Sequence, residues 1–206
     1  MRHTGPRNRL ARREEMDLGL KTVGSKSHAN LLKKLNVPPG QHGTRRRRKL
    51  SEHAHQLREK QKLRYMFGLS EKQLKKYYDI ASRRPGNTAF YLAQYLERRL
   101  DNVIYRLGLS PTRASARQLV THGHVQVNKK QVNVPSYQTK IGDTISFGDE
   151  KVGKIPYIEK MLTDKDVLIP KWLERKGPVG RLAKEPESED LDKLIKLRLV
   201  IEFYSR

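Results

Sequence analysis

The 206-residue chain contains no cysteine, which excludes disulfides, thiolate nucleophiles and Cys-ligated zinc, and with them redox chemistry. Apolar residues are also scarce, at 35% of the chain. Adding the 14 glycines still leaves the total below the roughly 45–50% of an ordinary soluble domain, so much of the surface must serve something other than packing. The longest uninterrupted apolar run is Ala89 to Ala93, far short of a membrane span. The opening MRHTGPRNRLARREE has no apolar stretch of the kind a secretory leader needs. A cytoplasmic protein without a membrane partner is therefore expected. Acidic side chains are the last shortage: 22 Asp and Glu stand against 44 Lys and Arg, a formal net charge of +22. Such an imbalance calls for a polyanionic partner, and nucleic acid supplies one through counterion release.

The charge is uneven. Residues 1–50 hold 14 basic and 3 acidic side chains, while the other 156 residues hold 30 and 19, so each part carries +11. The first segment mixes its cations with breakers at Gly5-Pro6, Gly19, Gly24 and Pro38-Pro39-Gly40-Gln41-His42-Gly43, so regular structure is limited to short helices near Arg9–Asp17 and Ser27–Leu35. It ends in the run Arg45, Arg46, Arg47, Arg48 and Lys49 and reads as a basic arm. From Ser51 the pattern becomes helical, with Ser51 and Ser70 as caps and stops near Gly68 and Pro85-Gly86. Arg58, Lys62 and Arg64 lie on the polar faces of the first of these helices.

The clearest periodicity runs from Thr88 to Leu107, where Ala93, Leu96, Leu100, Val103, Ile104 and Leu107 repeat at three and four residues and predict one buried helical face. Arg98, Asn102, Tyr105 and Arg106 share a polar stripe beside it, next to Arg99. Ser110-Pro111 predicts a second helix, capped by the hydroxyl with proline in its first turn. On that helix Arg113, Arg117 and Thr121, four apart, line an outer face. The period then changes to two: Val125 and Val127 alternate with Gln126 and Asn128, a tight turn at Lys129-Lys130 leads to Val132 and Val134, and Thr144–Phe147 makes a third strand. Beyond it the pattern predicts a helix over Pro156–Leu162, strands near Trp172–Glu174 and Val179–Leu182, a charged helix near Ser188–Lys196, and a terminal strand over Arg198–Tyr204. The fold class is α+β. Its parts are a basic arm (1–50), a helical lobe (51–95), a module of two helices and a small antiparallel sheet (96–148), and an extension (149–206) packing on the lobe.

The stretch LERRLDNVIYRLGLSPTRASARQLVTHGHVQVNKKQVNVPSYQTKIGDTI, Leu96 to Ile145, closely resembles the S-four RNA-binding domain. GPRNRLARREEMDLGLK, PPGQHG, KLSEHAHQLREKQKLRYMFGLSEKQLKKYY and the ending LVIEFYSR are similar to the remaining parts of the bacterial small-subunit ribosomal S-four family, so the resemblance covers nearly the whole chain. Many members of that family bind zinc through a Cys-x-x-Cys pair near the amino terminus. The aligned positions here are Asn8 and Ala11, so the zinc does not carry over. His3, His28, His42, His53 and His55 are scattered without paired spacing, and no cofactor is expected.

Arginine forks pair with phosphate, amides and hydroxyls reach the 2′-OH, and tyrosine stacks on an unpaired base. On those grounds the two helices, with Ser110, Gln118, His122, His124, Asn128, Lys129 and Lys130, form the expected RNA-binding face. The resemblance implies direct binding to a multi-helix junction in the 5′ domain of 16S ribosomal RNA early in assembly, clasped by the arm and helical lobe on one side and the module on the other. It also implies contact with protein S-five, an influence on decoding accuracy, a place beside mRNA as it enters the subunit, and a monomer within the ribosome. S-four modules also occur on pseudouridine synthases and tyrosyl-tRNA synthetases, but those need a separate catalytic domain. Here the acids Glu185, Glu187, Glu189, Asp190 and Asp192 are clustered like a solvated helix start, and no acid/base pair is evident. No enzyme is expected; a free RNA-binding factor visiting ribosomes is the alternative.

Overall fold

The structure is a computed structural model that describes residues 3–43, 49–163, 168–186 and 195–205. Two compact units divide the chain: the first combines Met1–Leu92 with Asp192–Arg206, and the second is Ala93–Leu191.

In the first unit, α1 (Arg7–Glu14) and α2 (Lys26–Lys33) are short because glycines and prolines bound them. Asp17 and His28 join the connecting loop to α2, His28 Nε2 lying 2.7 Å from Asp17 Oδ2. The Asn8 amide donates to the Ser27 carbonyl at 2.9 Å. The expected caps are present: Ser51 Oγ accepts the Ala54 amide at the start of α3 (Glu52–Met66), and Ser70 forms a capping box with Gln73 on α4 (Glu71–Ser82). Asn87 accepts the Ala89 and Phe90 amides where α5 (Thr88–Glu97) begins.

Where a terminal strand was expected, the chain forms a helix, α10 (Leu197–Tyr204), which packs along α3. The apolar residues Leu197, Val200, Ile201 and Tyr204 satisfy i, i+3, i+4, i+7, so this short segment fits both periods and docking decides between them. The Lys60 ammonium lies 4.2 Å from the Phe203 ring centroid and 2.8 Å from Glu71 Oε1. Tyr204 donates to the same Glu71 oxygen at 2.7 Å and stacks on Tyr78.

In the second unit the single long helix expected across Thr88–Leu107 is two. α5 stops at Glu97 and α6 (Leu100–Arg106) restarts after Arg98-Arg99. The cause is the segment 135–139: Thr139 donates through both its amide and its hydroxyl to the Arg98 carbonyl, while Leu100 N and Asp101 N donate to the Tyr137 and Pro135 carbonyls. Apolar periodicity survives the break because Leu96 and Leu100 are buried on both sides of it. The next helix, α7 (Arg113–Thr121), is capped by Thr112, whose Oγ1 accepts the Ser115 amide. Ser110, the expected cap, is buried and donates to the Thr112 carbonyl.

The sheet is antiparallel, in the order β2-β1-β3-β5-β4, with β1 (Val125–Val127), β2 (Lys130–Gln131), β3 (Thr144–Phe147), β4 (Leu173–Lys176) and β5 (Val179–Leu182). The β1–β2 turn lies one residue earlier than expected, at Asn128 and Lys129, both left-handed with φ of 51° and 64° and thus matching the strand twist. Val132 and Val134 lie beyond β2. One hydrophobic cluster joins Leu100, Ile104, Leu119 and Ile145 to Val152 of α8 (Glu150–Gly153), Ile158 of α9 (Pro156–Thr163), Trp172 and Leu182. The expected 149–206 extension therefore does not form one piece on the helical lobe. Its strands complete the module's sheet, and α10 belongs to the first unit. The charged helix expected near Ser188–Lys196 falls largely on residues outside the described ones. Gly180 shows how closely helix and sheet approach, since a Cβ there would run into the Leu107 side chain.

Candidate nucleic-acid interface

Two buried carboxylates organise the arginines of the second unit. Glu97, 1% exposed, accepts the Arg106 Nη2 at 2.7 Å on Oε1, and on Oε2 it accepts Arg106 Nε at 3.1 Å and Asn102 Nδ2 at 2.7 Å. Asn102 then accepts Arg113 Nε at 2.8 Å, and the Arg113 guanidinium lies 4.5 Å from the Tyr105 ring centroid. Asp101 holds Arg99 in a fork, Nε to Oδ1 at 3.0 Å and Nη2 to Oδ2 at 2.6 Å, with Arg117 Nη1 at 3.4 Å from Oδ2. Arg98 reaches the Thr139 carbonyl at 2.9 Å and Glu185 at 3.1 Å. Charge-assisted forks of this kind are the contacts strong enough to offset taking guanidinium and carboxylate groups out of water.

The outer part of this surface is polar and cationic. Gln118, Thr121 and His122 are exposed on α7, His124 is half-buried, and Asn128, Lys129 and Lys130 stand exposed at the hairpin. Asn128 fixes that hairpin to β3, donating to Asp143 Oδ1 at 2.8 Å and accepting the Thr144 amide at 2.9 Å.

In the first unit, Arg58 donates to the Arg13 carbonyl and to Glu14, Lys62 pairs with Glu59 at 2.7 Å, and Arg64 lies 3.5 Å from Glu71 and over the Tyr65 ring. Burial pushes the Glu14 carboxyl above its ordinary value, Arg58 offsetting only part of that rise. Burial also acts upward on Glu71, but hydrogen bonds from Lys60 and Tyr204 and the charges of Lys60 and Arg64 outweigh it and hold Glu71 below its ordinary 4.5. Burial, and then the Glu71 carboxylate, drive the Tyr204 phenol far above its ordinary range.

A carboxylate with a lowered folded pKa contributes stability above the unfolded value, and that stability is lost as pH falls through the folded one. Glu71→Gln should therefore lower the neutral-pH melting temperature of the first unit and flatten its decline below about pH 4.5, as thermal melts from pH 3 to 7 would record. An acid limb of unchanged steepness would show that the Lys60–Glu71–Tyr204 cluster does not couple to folding.

The chain matches two adjoining family models: the ribosomal protein S4/S9 N-terminal domain over residues 2–97 and the S4 domain over residues 98–145. It is 48% identical over 213 residues to the small ribosomal subunit protein uS4 of Aquifex aeolicus, covering 100% of this chain and 99% of the relative. The chain belongs to the uS4 family. The proteins of the same name from Dictyoglomus turgidum and Akkermansia muciniphila are 44% and 43% identical, each with 100% of this chain and 99% of the relative covered. The uS4 family is structural, not enzymatic.

Within this uS4 chain the expected binding residues separate by depth. Arg99 (0% exposed), Asn102 (1%) and Ser110 are interior. Their polar groups are used inside the unit, in the Asp101 fork, the Glu97–Arg113 link and the α7 entry turn. Arg113 and Arg117, expected to face outward, are half-buried, as are Arg98, Tyr105 and Arg106. The sequence stripe was real, but Glu97 and Asp101 pull its cations down onto the helices. Gln118, His122, Lys129 and Lys130 are exposed, and so is Lys49 at the end of the arm. Arg45, Arg46, Arg47 and Arg48 lie outside the described residues.

Sequence reading passed over one further cationic ridge: Lys72, Lys75 and Lys76 on α4, with Arg83 and Arg84 after it, all exposed. The spacing 72, 76, 83 was the signal for it. Among the described residues no three His, Asp or Glu side chains converge as metal ligands, and no helix is long and apolar enough to cross a membrane.

Proposed function

We propose that this chain is a structural constituent of the small ribosomal subunit that binds the 5′ domain of 16S ribosomal RNA directly and nucleates assembly of the subunit body. In that role it contacts protein S-five, lies beside mRNA entering the subunit, influences decoding accuracy, and works in the cytoplasm as one copy per ribosome. The observation that carries this reading is the likeness to small ribosomal subunit proteins over all of the chain, together with the arginine-bearing helices α6 and α7. The exposed α4 ridge gives the first unit its own phosphate-facing surface. Guanidinium groups suit A-form RNA, which is recognised by shape and backbone more than by base edges.

Sedimentation of a cell lysate through a sucrose gradient with a high-salt wash tests it. Stoichiometric retention on small subunits is the expected result. Release into the soluble fraction would replace this reading with that of an RNA-binding factor that visits ribosomes.

A further inference from the structure

We infer that Glu97 and Asn102 are positioning residues for RNA binding, which fix the guanidinium planes of Arg106 and Arg113 before RNA arrives; this rests on the RNA-binding reading above. A carboxylate beneath a cationic face weakens that face's long-range attraction for phosphate, so its presence calls for a compensating role. The geometry supplies one. Both Glu97 oxygens are occupied by Arg106, and the same carboxylate holds the Asn102 amide.

The amide orientation is set by its neighbours. Nδ2 faces two acceptors, Glu97 Oε2 and the Glu97 carbonyl at 2.9 Å, so Oδ1 must face the Arg113 Nε–H. One buried carboxylate is thereby linked without a gap to arginines on two successive helices, and the second of them is further fixed over the Tyr105 ring. A guanidinium has five donors in a rigid plane, so fixing one edge orients the whole fork. Ordering long side chains in advance removes an entropy cost that binding would otherwise bear.

The test turns on a sign. Glu97→Gln raises the formal net charge from +22 by one, so attraction by charge alone predicts equal or tighter binding of the full chain to a transcript of the 16S 5′ domain. Positioning predicts weaker binding, about tenfold, with the slope of log affinity against log salt retained because the phosphates engaged are the same. Asn102→Ala, which leaves charge unchanged, should weaken binding in the same way, and a cooperative melt checks that each variant folds.

A third measurement needs no variant: in the free wild-type protein the Arg106 and Arg113 Nε–H resonances should exchange with water far more slowly than those of exposed Arg9 and Arg13. Equal exchange rates, or binding by Glu97→Gln as tight as the parent while Arg113→Ala binds more weakly, would overturn the inference and leave the RNA-binding reading intact. If Arg106→Ala and Arg113→Ala bind as the parent does, the reading of α6 and α7 as the RNA-binding face fails first.

Discussion

Asp101→Ala is expected to destabilise the 93–191 unit by about 3–5 kcal/mol, the cost of breaking a buried ion pair by removing one member. Arg99 has no exposed surface and its Asp101 fork is short at both contacts, so water cannot take over the role of the carboxylate. Denaturant melts of the two proteins would give the difference directly. The paired replacement Arg99→Met with Asp101→Leu should cost far less or even stabilise, because an apolar pair of similar volume requires no desolvated charge. That double variant should nonetheless bind RNA more weakly, since Arg117 loses the oxygen it leans on. A loss below about 1 kcal/mol for Asp101→Ala would mean that the unit relaxes to hydrate Arg99.

The second large effect is on affinity. Binding of the isolated protein to the 5′-domain RNA should fall about a thousandfold between 50 and 200 mM salt if roughly six phosphates are engaged, because each neutralised phosphate releases counterions. The cations available include Lys129 and Lys130 at the hairpin and Lys72, Lys75 and Lys76 on α4. Replacing those three α4 lysines with glutamine should shallow the slope, and a filter-binding titration at four salt concentrations resolves it. A flat profile would rule out backbone contacts as the main source of affinity.

What the sequence made legible follows from which interactions are local. Serine caps at Ser51 and Ser70 and the β1–β2 hairpin depend on neighbours a few residues away and could be read directly, and the strand Thr144–Phe147 showed in its own alternation although its partners β1 and β5 are distant in sequence. The break at Arg98-Arg99 could not, because it is made by carbonyls and a hydroxyl from residues 135–139. The depth of Arg99 and Asn102 was hidden for a different reason, since their carboxylate partners are only two and five residues away. A polar stripe at helical spacing marks a face, but whether that face is wet depends on which carboxylates sit within reach in space, here Glu97 and Asp101. The helical fate of Leu197–Tyr204 likewise rested on α3, whose contact with it spans 146 residues of sequence between Gln56 and Glu202.

That contact bears on the order in which the protein can mature during synthesis. The first unit draws on both flanks of the chain, and α10 leaves the translating ribosome only after every residue of the second unit has been made. Contacts within 93–191 are all available earlier. The inserted unit can thus finish folding while Lys60 and the α3 surface still wait for Phe203 and Tyr204. A chain stalled before α10 would carry a finished 93–191 unit alongside an N-terminal portion with bare apolar surface, the kind of half-made species that chaperones hold.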